Sequence, residues 1–242
     1  MRIIRHSSFT RVPWRNGGGV THEAIRVPAA GDSFQWRVSV AEIEASGPFS
    51  DFAAYQRFMV LLKGAGVALR FSSVTRSAAA STDPAPTPRE LRKVGDLAAF
   101  DGALTTRCEL LDGPCVDLNL MVAKTLSDVC ARVEVLREPR SWSVGSGDSV
   151  LVFPIDGGVE LESGGNAGVL EPWDLAVLSG PHDGAVSVSV RGRGDASDAV
   201  NVFVATLPVD HGAGGSTSSL VRGQQQARLR IGDAVDEANA AQ

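Results

Sequence analysis

The chain has 242 residues, 43% of them hydrophobic and 21% charged, with a formal net charge of −5; this is ordinary globular composition, with length for one large core or two smaller ones. No apolar run approaches the roughly 20 residues that span a bilayer, and the opening MRIIRHSSFTRVPWRN breaks its short apolar pair with charge, so neither a membrane span nor a signal-peptide core is expected and a cytoplasmic protein is. Acidic and basic side chains are well mixed, without the basic footprint of a phosphate-neutralising surface, which speaks against direct nucleic-acid binding.

The first distinctive stretch is WRNGGGVTHE, Trp14 to Glu23. Asn-Gly is first of all a turn signal, and Gly17 to Gly19 permit positive φ there. The competing reading is that glycines without Cβ atoms let backbone N–H groups approach an anion. The stretch lacks the Gly-Lys-Ser/Thr ending of a phosphate loop, and His22 stands where a dinucleotide fingerprint needs its third glycine. VTHEAI then alternates as a strand, with Thr21 and Glu23 on one face and His22 on the other, where a surface or packing role is expected. Trp14 and Trp36 are expected in the core.

SFQWRVSVAEI alternates Phe34, Trp36, Val38 and Val40 against Gln35, Arg37, Ser39 and Ala41, the period of two that marks a strand. RFMVLLKGAGVALRF reads as strand, glycine turn, strand, with Arg57 at its head and Met59 and Leu61 on the same side. SAAASTDPAPTP, Ser77 to Pro88, reads as a mobile surface loop. CVDLNLMV sets Val116, Leu118, Leu120 and Val122 against Asp117, Asn119 and Met121. Helical periodicity is scarce, PRELRKVGDL and DAVDEANAAQ being the candidates, and the segment from His211 onward reads as a flexible tail.

An internal echo suggests the architecture. RFMVLLKGAGVALRF followed by VGDLAAFDG matches SVLVFPIDGGVELES followed by LEPWDLAVLSG, with Asp96 and Asp174 in corresponding places. Two such repeats read as a pair of small jelly-roll barrels. Many barrels of this kind carry a metal on closely spaced histidines. Here His6, His22, His182 and His211 offer no pair at i, i+2 on one strand, so no metal and no cofactor is expected. Cys108, Cys115 and Cys130 lack CxxC spacing and read as reduced, packed thiols, and no GxSxG elbow is present.

PWRNGGGVTHEAI, FQWRVSVAEIEASGPFSDFAAYQRFMVLLKGAGVAL and CELLDGPCVDLNLM resemble successive signatures of the HutD/Ves family. The resemblance implies a mainly β bicupin, two jelly-roll-like β-barrels in one compact chain, divided here into an N-terminal half (1–125) with the pocket motifs, a C-terminal half (126–210) and the tail (211–242). It also implies a bacterial cytoplasmic protein of a kind encoded with histidine-utilisation enzymes and restraining that pathway, or induced by stress, with no member firmly established as an enzyme. FAAYQR departs from the family pattern, which usually has a glycine shortly before the arginine, but Arg57 stays in register.

In a closed barrel one face of each strand lines the interior. On that reading Arg37, Ser39, Arg57, Asp117, Asn119 and Met121 face a cavity whose rim is Asn16, Gly17, Gly18, Thr21 and Glu23. The alternative for each is a solvated strand face, a strand-end charge or an Asx turn. Two arginine forks in one cavity would hold a carboxylate bidentately, while Asp117 and Asn119 could accept hydrogen bonds from an amine, imidazole or formimino nitrogen. Urocanate or formiminoglutamate would suit, the identity coming from the family's setting. The leading expectation is therefore a non-metal bicupin that senses or sequesters a small carboxylated metabolite of histidine utilisation, with no nucleic-acid or membrane partner. A homodimer through exposed sheet edges is compatible with it. The competing expectations are a hydrolase or isomerase on the same class of acid, with Asp117 or Glu23 as general base, and a stress-related interaction module.

Overall fold

Period-two alternation carries through the chain. In the computed structural model, which describes residues 1–14, 17–28, 33–72, 87–181, 183–193 and 199–208, the only helical element is a single 3-10 turn, His6–Ser8. The expected tail from 211, the helix candidate DAVDEANAAQ and all but the last two residues of the proline-rich loop lie outside the described residues. PRELRKVGDL is not a helix. Arg89–Leu91 is a strand, and the residues after it form a turn in which Asp96 Oδ2 accepts the N–H groups of Arg92 (2.7 Å) and Lys93 (2.8 Å). Its apolar residues were too few and its Gly95-Asp96 turn chemistry too strong for a helix.

The first ten strands after the amino terminus are β1 (Arg2–Ile4), β2 (Thr10–Pro13), β3 (Gly19–Val27), β4 (Trp36–Ile43), β5 (Gly47–Pro48), β6 (Tyr55–Lys63), β7 (Val67–Ser72), β8 (Arg89–Leu91), β9 (Leu97–Asp101) and β10 (Thr105–Leu110). They are followed by β11 (Cys115–Ala123), β12 (Cys130–Leu136), β13 (Arg140–Val144), β14 (Ser149–Pro154), β15 (Val159–Ser163), β16 (Asn166–Leu170), β17 (Leu175–Ser179), β18 (Val186–Gly192) and β19 (Val200–Leu207). They form four antiparallel sheets. One pair has the orders β2-β3-β4-β11-β6-β9 and β5-β10-β7-β8; the other has β1-β17-β14-β19-β12 and β13-β18-β15-β16.

The pairings repeat. β9-β6-β11-β4 has the same connectivity as β17-β14-β19-β12, and β5-β10-β7-β8 the same as β13-β18-β15-β16. Asp96 and Asp174 sit at matching turns. Each donates its own N–H to the carbonyl three residues back and accepts that residue's N–H on its carboxylate. β1 departs from chain order, because it pairs with β17 in the second set of sheets. Asp174 holds this crossing, accepting from Arg5 Nη1 at 2.6 Å and from the His6 N–H at 2.9 Å.

Three apolar clusters fill the spaces between sheets. One lies inside each barrel. The third is a seam in which the outer face of the six-stranded sheet (Val38, Val40, Phe58, Val60, Leu118, Leu120) packs on the outer face of the five-stranded sheet (Leu151, Phe153, Leu175, Phe203, Ala205). β4, β6 and β11 are therefore buried on both faces. Phe153 and Phe203 are paired in register at the centre of the seam. Phe153→Ala is expected to cost about 3–5 kcal/mol, read as a lower urea midpoint with an unchanged slope.

Candidate functional site

The inward faces of β4, β6 and β11 give rise to a cavity of about 400 Å³ inside the first barrel. Strand register stacks its wall in rows. Arg37, Met121 and Arg57 are neighbours across β4, β11 and β6; Glu23, Ser39, Asn119 and Met59 form the next row; Thr21, Ala41, Asp117 and Leu61 the third. A register shift between Val116 and Asp117 lies at the deep end; such bulges re-aim side chains beside sites. The loop after β5 closes one side with Phe49, Ser50 and Phe52.

Arg57 is only 5% exposed. Its guanidinium lies 5.0 Å from the ring centres of Phe49 and Phe100 and 5.8 Å from that of Phe52, and it donates from Nη2 to Asn119 Oδ1 at 3.0 Å. Arg37 lies 5.5 Å from Phe34 and from the same Phe52, reaches Met121 Sδ at 3.7 Å, and is 3.9 Å from Glu23 Oε2 at the rim. The Nε of each arginine is buried without a hydrogen-bond partner. Asp117 is 0% exposed; its Oδ1 accepts from Asn119 Nδ2, and its Oδ2 has no partner. Native structures rarely leave buried donors and an acceptor unmatched in one place except where something else is meant to satisfy them.

Burial sets the electrostatics. It raises Asp117 to about 7, against the pull of Arg57, and lowers Arg57 to about 10, against the pull of Asp117. Arg37 is lowered by burial as well. Cys108 is pushed up to about 12 by burial and then by Asp117, so it stays a thiol. Cys115 is also buried, but Cys130 is exposed at the start of β12, so packing does not account for all three cysteines.

Of the residues expected at the site, Thr21, Arg37, Ser39, Arg57, Asp117, Asn119 and Met121 line the cavity, and Glu23 adjoins it through Arg37. Gly17 and Gly18 do not line it, and Asn16 lies outside the described residues. The glycine triplet serves the β2–β3 hairpin instead. Gly17 has φ +68°, its N–H bonds to the Trp14 carbonyl, and a Cβ on Gly19 would fall 2.2 Å from the Glu42 carbonyl oxygen. His22 faces away and pairs with Glu42 at 2.8 Å. Residue-level reading missed the aromatic wall. Phe49 and Phe52, in a loop outside any alternation, stack on the arginines. Trp14, expected only as core, lines the cavity and donates to Thr21 Oγ1 at 2.8 Å. The signal available was GPFSDF itself, two aromatics in a polar turn.

The second barrel carries valines where the first has Arg57 and Asp117, and Cys130 where it has Arg37. By strand pairing Val150, Val152, Val202 and Val204 correspond to Arg57, Met59, Asp117 and Asn119, and all four are buried in its core. A larger recess, about 490 Å³ at the edge of the seam, is lined by Trp36, Leu126, Val177 and Leu207, with Arg2 as its single charged side chain. It holds none of the buried unpaired groups found in the first barrel. Among the described residues no three His, Cys, Asp or Glu side chains converge, so this donor set does not fit a metal centre.

The chain matches the HutD protein family over residues 6–197. An uncharacterised 21.2 kDa protein from the hutC 3′ region of Pseudomonas putida is 34% identical over 195 residues, covering 80% of this chain and 94% of that protein. Protein Ves of Citrobacter koseri is 30% identical over 149 residues, 61% of this chain and 69% of its own. Among solved structures, a conserved protein of unknown function from Pseudomonas aeruginosa superposes with a TM-score of 0.71 at 28% identity, over 86% of this chain and 98% of that one. HutD from Pseudomonas fluorescens, solved in a formate condition, gives 0.64 at 28%, over 86% and 99%. Oxalate decarboxylase of Lactobacillus farciminis in a formate complex gives 0.57 at 8%, over 85% and 86%, a likeness of fold alone; the fold is a bicupin.

Asp117 takes up its proton more readily folded than unfolded. The stability it contributes as a neutral acid is complete below the ordinary carboxylate value of 3.8 and is lost as pH rises through about 7. Asp117→Asn, which cannot ionise, is expected to gain stability over the native chain between those values, by no more than about 1.4 kcal/mol per pH unit. Urea unfolding of both proteins across that range measures it; parallel curves would contradict the electrostatic assignment.

Proposed function

The chain belongs to the HutD family, and from that premise we propose that its first barrel binds a small carboxylated metabolite and that the protein senses or sequesters an intermediate of histidine utilisation. The observation that carries this reading is the pair of arginines facing one cavity with their Nε donors unmatched. A guanidinium fork is the side chain best matched to a carboxylate, and aromatic stacking leaves its N–H edge free. Asp117 and Asn119 at the deeper end suit a nitrogen donor on the same ligand. Urocanate and formiminoglutamate combine the two ends. The relative from the hutC region and the likeness to HutD of Pseudomonas fluorescens support the pathway.

Residues 1–125 are the binding half in this reading, with 126–210 as its structural partner. Action is by mass balance: free metabolite falls in proportion to affinity and protein abundance, and no DNA contact is needed. The cytoplasm is the proposed location, supported by three unpaired cysteines, and no helix among the described residues is long and apolar enough to cross a membrane. One observation favours a second reading. Asp117, fully buried on the cavity wall and raised to about 7, is suited to act as a general base on the bound acid.

Thermal-shift screening against urocanate, formiminoglutamate, formylglutamate, histidine and glutamate is expected to give concentration-dependent stabilisation by at least one carboxylate of the first three. Absence of a shift with all five would end the ligand proposal. Arg37→Ala and Arg57→Ala should each weaken that binding by roughly 1.5–3 kcal/mol; unchanged affinity in both would remove the arginines from the site. Mass analysis of the same mixtures separates binder from enzyme, since turnover lost in Asp117→Asn would favour the second reading.

A further inference from the structure

The cavity wall brings one carboxyl group and two guanidinium groups together, with Asp117 and Arg57 buried and Arg37 nearer the rim. Arg57 Nη2 donates to Asn119 Oδ1, and Asn119 Nδ2 to Asp117 Oδ1, so the amide links the only buried carboxylate among the described residues of this barrel to its counter-charge. The second carboxylate oxygen is unpartnered and lies on the cavity lining. The charged and titratable groups around Asp117 are few. They are Arg57 from β6, Arg37 from β4 with Glu23 from β3 behind it at the rim, Cys108 from β10 and Cys115 from its own strand. Cys108 remains a thiol, and Cys115 donates to the Gly66 carbonyl.

A carboxylate bound on the two guanidinium groups adds a second negative charge to this wall. Arg57 then serves two anions, and a second negative charge beside the fully buried Asp117 raises the cost of keeping both ionised. We propose that the cavity takes a simple anion, one that brings no nitrogen donor for Asp117, together with one proton from solvent, lodged on Asp117 Oδ2, where the new O–H donates a hydrogen bond towards the bound carboxylate. This rests on the carboxylate-binding reading and adds to it the protonation state of the complex. An O–H bond forms at Oδ2, the proton comes from bulk buffer, and no other bond changes. The high proton affinity that burial already gives Asp117 works in the same direction. A simple acid is then captured more strongly as the surroundings acidify, a behaviour that guanidinium groups alone would not produce, because they do not lose their protons near neutrality; Arg57, the more buried, is lowered only to about 10.

Formate is the probe of choice, because it remains ionised across the range and carries no titrating group of its own. Calorimetric titration of the full chain at pH 8, in buffers of different ionisation enthalpy, is expected to give heats that vary with the buffer and report uptake of more than about half a proton per formate. Formate affinity should fall by up to about tenfold per pH unit above pH 7 and flatten below it, where Asp117 already holds its proton. In Asp117→Asn both the buffer dependence and the pH slope should vanish. Binding of formate with buffer-independent heat by the native chain would overturn the proton coupling while leaving the carboxylate reading intact. A pH slope retained in Asp117→Asn would do the same. If neither formate nor urocanate binds, both the coupling and the carboxylate reading fall.

Discussion

The constraint on which the rest of the structure depends is that the centre of the first barrel's six-stranded sheet, formed by β4, β6 and β11, has almost no solvent face. Its outer side chains form the seam with the other barrel and its inner ones the wall of the cavity. In a sheet buried on one side only, Arg37, Ser39, Asp117 and Asn119 would be unremarkable polar positions facing water. Burial of both sides removes that outlet. Phe58, Val60 and Leu62 occupy the seam, so Arg57, Met59 and Leu61 must point inward; a slip of one residue would exchange them and drive a guanidinium into apolar packing. The hydrophobic seam thus fixes the register that brings the charges together.

Alternation made much of this legible. The faces of β4, β6 and β11 follow from period-two patterning, and seven of the eleven residues singled out do line one cavity. The echo around Asp96 and Asp174 corresponds to matching turns in two barrels of the same connectivity. Features that depend on distant pairing were not legible. The crossing of β1 to β17 leaves no local mark, since any short apolar strand can complete either sheet. The glycine triplet looked like a ligand-approach device because absent Cβ atoms allow close contact; that contact is with the Glu42 carbonyl. The loop aromatics escaped because their role is defined by what lies across the barrel.

The two barrels share a frame and differ in what fills it. Where the first has Arg57, Asp117 and Asn119, the second has Val150, Val202 and Val204, side chains that favour strands and close-pack without hydrogen-bond demands. One barrel therefore resembles an ordinary core and the other accepts buried polarity. The ordinary one supplies half of the seam, and so contributes the stability against which the cost of burying Arg57 and Asp117 is set.

The rings around the two guanidinium groups have a kinetic meaning. Phe49, Phe52 and Phe100 surround the Arg57 guanidinium, and Phe34 and Phe52 flank that of Arg37, each ring centre within 5.8 Å. Long arginine side chains normally surrender much rotational freedom when they grip a partner. Here that freedom is lost when the chain folds. An arriving acid meets donors already aimed, so its encounter needs little rearrangement of the arginines, and discrimination between acids falls to how well each fits a rigid frame.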